Sequence, residues 1–99
     1  MNNIKFNYLY RDGNNYKQFG YIIFCNPSNV DVEVIESIIR SELIDGEFFI
    51  AENWDIPTLF FEVHNEDDHA WHEFSSIEIT DESPTTNIAM EDFILRLKK

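Results

Sequence analysis

Basic residues are missing from more than half of the chain. No Lys or Arg occurs between Ser41 and Leu95, whereas fifteen Asp and Glu fall in that range. The formal net charge of the 99-residue chain is −12. Because contacts to phosphate groups require a basic surface, this charge argues against direct binding to nucleic acid and against binding to an anionic membrane. The carboxylates must instead face water or a basic partner.

Cysteine, glycine and proline are also scarce. The single cysteine, Cys25, cannot form an internal disulfide, and we interpret it as a small buried or half-buried residue in a reducing compartment. Three Gly and three Pro in a chain that is 43% hydrophobic predict one folded globular domain over residues 1–99. The sequence has no basic leader before an apolar run and no apolar segment of membrane-spanning length, so we expect a cytoplasmic location.

Alternating apolar and polar residues predict most of the strands. Ile4–Arg11 and Lys17–Phe24 show this alternation on either side of a turn at Asp12–Asn15, which is typical of an antiparallel hairpin. His69–Phe74 is predicted to be an extended or bulged segment that leads into the last strand. The remaining predicted strands are Glu47–Ala51, Thr58–Val63 and Ser76–Thr80.

Two amphipathic helices complete the predicted fold. Asp31 is the expected N-cap of a helix at Val32–Ile44, in which apolar residues recur at helical spacing. Thr86 or Asn87 can cap a last helix that contains Met90, Phe93, Ile94 and Leu97. The order of elements (β-β-α-β-β-β-α) predicts an α+β fold. We expect a mainly antiparallel sheet of about five strands with both helices packed on one face.

Three segments of the chain carry a resemblance to other proteins. They are Tyr8–Asp12 together with Asn15–Lys17, then Leu43–Phe49, and finally His69–Phe74. Through these segments the whole chain resembles a family of small acidic bacterial proteins of unassigned function. The resemblance implies an intact, recurring domain, and it supplies no activity, ligand or catalytic residue.

Acidic and aromatic residues between Glu52 and Glu73 form the candidate partner-binding set. The leading hypothesis is a non-catalytic interaction protein whose acidic face docks onto a basic partner surface. A nucleic-acid-binding protein is the expected kind of partner, because its phosphate-binding groove would accept an array of carboxylates. Inhibitor, immunity protein and nucleic-acid mimic are all open. The two tryptophans are interpreted either as exposed anchors or as cover for the core edge. The set comprises Glu52, Trp54, Asp55, Glu62, Glu66, Asp67, Asp68, Trp71 and Glu73.

Two alternative functions follow from the same stretch. His64, His69 and His72 lie among carboxylates, which are the ligand types of zinc and non-haem iron, so a metal-binding domain or a metal-dependent enzyme is the first alternative. Their spacing matches no zincin motif, and no phosphate-binding loop or nucleophile elbow occurs. No catalytic residue and no cofactor are therefore predicted. The second alternative is a structural subunit whose acidity serves solubility.

Overall fold

A four-stranded antiparallel sheet forms the centre of the fold. The computed structural model describes residues 2–11, 16–59 and 71–97. Within them the sheet has the spatial order β2-β1-β4-β3, and each neighbouring pair is antiparallel. The α+β fold predicted from the sequence is confirmed, with four strands in place of about five. The strands are β1 (Asn3–Arg11), β2 (Lys17–Phe24), β3 (Phe48–Ile50) and β4 (Trp71–Thr80).

The predicted antiparallel pairing of β1 and β2 is confirmed, and the turn predicted at Asp12–Asn15 lies outside the described residues. Its register runs from Ile4 opposite Phe24 to Arg11 opposite Lys17. Because side chains alternate across a strand, β1 presents one buried face and one outer face. The buried face carries Ile4, Phe6, Tyr8 and Tyr10. The outer face carries Lys5, Asn7, Leu9 and Arg11.

Strand β4 unites the predicted bulged segment and the last predicted strand. Its register against β1 shifts, since Asn7 lies opposite Ser76 whereas Tyr8 lies opposite Phe74. Ser75 is therefore the extra residue of a β-bulge. The bulge directs both Phe74 and Ile77 toward the buried face although they are three residues apart, and this interrupts the period-two pattern that marks a strand.

Strand β3 is shorter than its prediction, Glu47–Ala51, because the chain enters a 3-10 turn at Ala51–Trp54. The predicted strand Thr58–Val63 is not found in its described part, since Thr58 and Leu59 lie in irregular backbone. The amide of Leu59 donates its hydrogen bond to the side chain of His72 instead of to a neighbouring strand. The other four residues of that prediction fall outside the described residues.

Helix α1 (Val32–Ser41) ends three residues before the predicted end at Ile44. The N–H of Ile44 donates to the carbonyl oxygen of Phe48 at 2.7 Å. Between them the backbone passes through Asp45 and Gly46, which have φ values of 54° and 73°. Gly adopts this left-handed region without strain and Asp tolerates it. The chain thus turns back toward β3 before another helical turn can form.

The predicted N-cap of α1 is confirmed. Asp31 has an extended backbone, and its carboxylate accepts a hydrogen bond from the N–H of Glu33 at 2.9 Å. We expect Asp31→Ala to lower the free energy of unfolding by about 1 kcal/mol, because one N–H of the first turn loses its acceptor. Asp31→Asn should be nearly neutral, since an amide oxygen can replace the carboxylate. Urea unfolding of the three proteins measures this, and equal loss in both variants would instead assign the effect to charge.

Helix α2 (Met90–Leu97) starts later than the predicted caps, Thr86 and Asn87, imply. Ala89 forms a bridge with Cys25, and the N–H of Met90 donates to the carbonyl oxygen of Cys25 at 2.8 Å. These contacts place Ala89 in a bridge to Cys25 directly before the first helical residue, so neither predicted residue occupies the N-cap position. Cys25 itself is a free, half-buried thiol, as the sequence indicated.

The two helices pack on the same face of the sheet and enclose an aromatic core. Ile35 and Ile39 of α1 and Phe93 of α2 are fully buried against Phe6 of β1. Phe93 stacks on Phe24, with 4.6 Å between the ring centroids. Both helices therefore bury the apolar stripes that the sequence predicts. In the described part of the chain, neither helix has the length and apolar character needed to cross a bilayer.

Candidate acidic interface

An open groove beside the 3-10 turn brings the carboxylate at the end of α1 together with two carboxylates of the turn region. Glu42, the residue that follows α1, lines this groove with Glu52 and Asp55 of the turn region. All three residues are exposed. Arg96 of α2 also lines the groove and forms an ion pair with Asp55, with 3.1 Å between Nη1 and Oδ2. Glu42, Glu52 and Asp55 are called the groove carboxylates below.

Trp54 is buried in the core, whereas its neighbours Glu52 and Asp55 are exposed beside the groove. Trp54 is 7% exposed, and its ring stacks on Phe49 with 4.4 Å between centroids and an angle of 7° between planes. It also contacts the edges of Phe6 and Phe93. Its interpretation as an exposed anchor is corrected, because the 3-10 turn directs the indole into the core. The same turn leaves Glu52 and Asn53 in solvent.

Trp71 and Glu73 belong to the outer face of the sheet and not to the groove. They flank His72, which is fully buried on the other face, so alternation along β4 directs them outward. Trp71 is 38% exposed and its ring lies 5.4 Å from that of Phe48. The carboxylate of Glu73 accepts hydrogen bonds from Arg11 at 2.8 and 3.4 Å. Its charge is therefore already neutralised within the chain.

Several candidate residues lie outside the described residues. Among the acidic candidates these are Glu62, Glu66, Asp67 and Asp68, and among the histidines they are His64 and His69. Their assignment to a partner-binding surface or to a metal site stays a prediction.

His72 is a core residue, and the hydrogen bond that its side chain accepts is within the chain. It is fully buried, and its Nε2 atom accepts a hydrogen bond from the N–H of Leu59 at 2.9 Å. Because an accepting nitrogen carries no proton, the hydrogen-bond geometry assigns the neutral imidazole with its proton on Nδ1. Nε2 is thus unavailable to a metal ion in this arrangement. Among the described residues, no group of three His, Cys, Asp or Glu side chains could hold a metal ion.

Two buried side chains fix the segment 57–59 to the sheet. While His72 accepts from Leu59, the hydroxyl of Tyr8 donates to the carbonyl oxygen of Pro57 at 2.8 Å. Tyr8 is 1% exposed, and burial raises the pKa of its phenol to about 12. The side chain of Leu59 also covers Gly20, where an added Cβ would lie 2.7 Å from a Leu59 methyl carbon. The contacts place this segment at the edge of the core.

The raised pKa of Tyr8 predicts a loss of stability in alkali. In the unfolded chain the phenol ionises near pH 10, whereas the folded protein holds the proton up to about pH 12. Stability is therefore fully present below about pH 10, and it falls by up to roughly 3 kcal/mol as the pH rises to 12. Urea unfolding of wild type and Tyr8→Phe over this range tests the assignment. The stability advantage of wild type should shrink with pH, and a constant advantage would contradict it.

Only some of the described carboxylates have a basic partner. The ion pairs of the described residues are Lys5–Glu82, Arg11–Glu73, Arg40–Glu36 and Arg96–Asp55. In the first, the hydrogen bond at 3.1 Å raises the pKa of Lys5 and lowers the pKa of Glu82. Glu42 and Glu52 have no Lys or Arg partner within the described part of the chain.

Glu42 is a groove residue that the sequence analysis did not include in the candidate set. It sits at the C-terminal end of α1, where the helix dipole is negative and an acidic side chain is unfavourable. An acidic residue at the end of a helix can be recognised in the sequence as an unfavourable, and therefore candidate functional, residue once the helix end is known. The predicted helix continued to Ile44, so Glu42 was placed inside it and the signal was hidden.

Comparison with known proteins gives no information about the function of the chain. Neither a family model, nor a curated protein, nor a solved structure matches the chain. The resemblance to small acidic bacterial proteins stays a prediction, and the function is inferred from the charges and geometry of the described residues.

Proposed function

We propose that this is a non-catalytic interaction protein that docks its acidic surface onto a basic surface of a partner protein. The observation that carries the proposal is the groove bordered by Glu42 and Glu52, two exposed carboxylates without a Lys or Arg partner among the described residues. The net charge of −12 gives the molecule as a whole a negative electrostatic potential. Such a field speeds association with a basic surface and disfavours acidic competitors.

Preorganisation supports the groove as the centre of this surface. Glu42 follows the last turn of α1, and Glu52 lies in a 3-10 turn that the buried ring of Trp54 anchors. The carboxylates are therefore held on rigid elements, and little backbone entropy is lost when a partner binds. The carbonyl groups at the end of α1 add a partial negative charge beside Glu42. A Lys or Arg of the partner would be attracted by all of these groups together.

The proposed partner is a nucleic-acid-binding protein in the cytoplasm. Its phosphate-binding groove already presents Lys and Arg side chains at spacings suited to anions. An array of carboxylates can occupy such a groove in place of phosphates, which gives the protein the role of an inhibitor, immunity protein or nucleic-acid mimic. The acidic run at 66–68, which lies outside the described residues, is proposed to contribute to partner binding.

Charge reversal in the groove tests the proposal. We expect Glu42→Lys combined with Glu52→Lys to reduce recovery of the partner in a pull-down from the source cell by at least about tenfold near physiological salt. The matched control combines Glu78→Lys with Asp81→Lys, which changes the net charge equally at two other exposed positions. The control should retain most of the binding. The two variants should differ less as salt shortens the Debye length below about 8 Å.

The outcome of this experiment separates docking from solubility. Equal recovery by the groove and control variants at low salt would show that the groove is not the docking surface. If neither variant changed any salt-sensitive interaction while both lowered solubility, the acidity would serve solubility alone, as in the structural-subunit alternative.

A further inference from the structure

The edge of the sheet formed by β2 has backbone hydrogen-bonding groups that no other described segment uses. The backbone N–H and C=O groups of Ile23 point away from β1. The N–H donates to Thr85 Oγ1, and the carbonyl oxygen accepts from the N–H of Thr85, both at 2.9 Å. Backbone direction alternates along an antiparallel strand, so Lys17, Phe19 and Tyr21 direct their N–H and C=O groups to the same side. Within the described ranges, no element pairs with the edge at these three residues.

Exposed aromatic side chains accompany this free edge. Phe19 is 69% exposed and Tyr21 is 50% exposed, and both lie on the outer face of the sheet. The Nζ atom of Lys5 lies 4.4 Å from the centroid of the Tyr21 ring, and the same ammonium group pairs with Glu82. A strand edge that combines unpaired backbone groups with exposed aromatic rings is a template for pairing with another strand.

The local charge favours a second copy of the chain at this edge. Strands β1 and β2 contain Lys5, Arg11 and Lys17 and no acidic residue. In a chain with a net charge of −12, these strands are where another copy meets the least like-charge repulsion. The order of the outward residues is also self-complementary. If two copies of β2 pair antiparallel about Phe19, each Lys17 lies opposite the Tyr21 of the other copy.

We propose that the protein forms a symmetric dimer in which the β2 strands of two copies pair antiparallel, centred on Phe19. The two sheets then join into one continuous eight-stranded sheet. Phe19 packs against Phe19 of the other copy, which is a favourable cross-strand contact. The aliphatic stem of each Lys17 packs beside a Tyr21 ring, whose cation–π contact Lys5 already supplies. The dimer pairs residues of β2, whereas the proposed function rests on Glu42 and Glu52, so the dimer does not depend on the proposed function.

The dimer is expected to be weak and to strengthen with salt. Pairing along one short strand edge buries less area than a permanent dimer does, which corresponds to a Kd between about 1 µM and 1 mM. Because each copy has a net charge of −12, screening of the remaining repulsion should tighten the dimer. Docking of the groove on a basic partner has the opposite salt dependence, so the two interactions are distinguishable.

Sedimentation equilibrium of Phe19→Lys tests the interface. We expect wild type to show a monomer–dimer equilibrium, and Phe19→Lys to weaken the dimer at least about tenfold, since it replaces an aromatic pair by two like charges. Leu95→Lys is the matched control: Leu95 is 65% exposed on α2, and the substitution changes the net charge equally. The control should dimerise as wild type does. A wild-type monomer at about 1 mM, or equal weakening by both variants, would overturn the proposal.

Disulfide trapping tests the register independently. In a Cys25→Ser background, Phe19→Cys should form a cross-linked dimer on mild oxidation, because residues opposite each other in such a pair have Cα atoms about 5.5 Å apart. Tyr21→Cys should not, since its counterpart in the other copy lies four residues along the strand, about 14 Å away. Cross-linking of Tyr21→Cys in preference to Phe19→Cys would exclude the symmetric register. The circular dichroism of both variants should match that of the background protein.

Discussion

Phe6→Ala is expected to lower the free energy of unfolding by about 3–5 kcal/mol, which is a large part of the total stability of an ordinary domain. Phe6 is fully buried at the centre of β1, one of the two strands that have neighbours on both sides in the described sheet. Its ring centroid lies 5.5–6.3 Å from those of five other aromatic residues, which come from β1, β3, β4, the 3-10 turn and α2. Removing the ring leaves a cavity that touches both layers of the fold.

Phe19→Ala is the matched control for this prediction. It removes the same atoms from the neighbouring strand, but Phe19 is 69% exposed, so the expected change is below about 0.5 kcal/mol. Both variants should be unfolded by urea at low protein concentration, where self-association does not contribute to stability. Equal losses of stability in the two variants would show that Phe6 does not lie at the centre of the core.

His72→Ala is expected to cost about 2–5 kcal/mol, because it combines a cavity with the loss of a buried hydrogen-bond acceptor. The imidazole lies 5.2 Å from the Tyr10 ring and 5.8 Å from the Phe49 ring, and it accepts the N–H of Leu59 at 2.9 Å. In the variant, the Leu59 amide would lose its partner at a partly buried position. The segment 57–59 would then be held mainly by the hydrogen bond of Tyr8 to Pro57.

A second substitution separates packing from hydrogen bonding at this position. His72→Phe retains a ring between Tyr10 and Phe49 and removes the two ring nitrogens, including the acceptor Nε2, so we expect a smaller loss of about 1–3 kcal/mol. Hydrogen exchange at the Leu59 amide should become faster in both variants. If His72→Phe retained full stability and slow exchange at Leu59, the hydrogen bond to His72 would not hold this segment.

The exposure of a candidate residue could be predicted from the sequence where it depends only on the polarity of the neighbouring residues. Glu52 and Asp55 fall in a polar stretch, and both are exposed beside the groove. Trp54 lies between them in the same stretch, yet it is buried, because a 3-10 turn rotates one residue of the stretch inward while its neighbours stay in solvent. Burial of one tryptophan depends on the rings that receive it, and two of these, Phe6 and Phe93, are distant in sequence.

The histidines also show that a local sequence pattern does not by itself determine the role of a residue. Three histidines among carboxylates resemble a ligand set, and the residue types alone are those that bind metals. His72 is a core residue because β4 alternates across the sheet and the bulge at Ser75 sets which of its residues point inward. The register of β4 against β1 is a property of two segments that are more than sixty residues apart. It decides the environment of His72, and therefore its role.

By itself, the sequence determined the fold class, the antiparallel pairing of β1 and β2, the cap of α1 at Asp31 and the acidity of the surface. These features depend on side-chain alternation, on a hydrogen bond between residues two apart, and on net charge, all of which are local or additive. Only the tertiary structure decided the end of α1, the groove that Glu42 and Glu52 share with Arg96, and the position of β2 at the edge of the described sheet. The end of α1 depends on the turn that joins Ile44 to Phe48. The groove and the strand order depend on contacts between segments distant in sequence, and the free energy of those contacts comes from burying apolar surface that no single segment can bury alone.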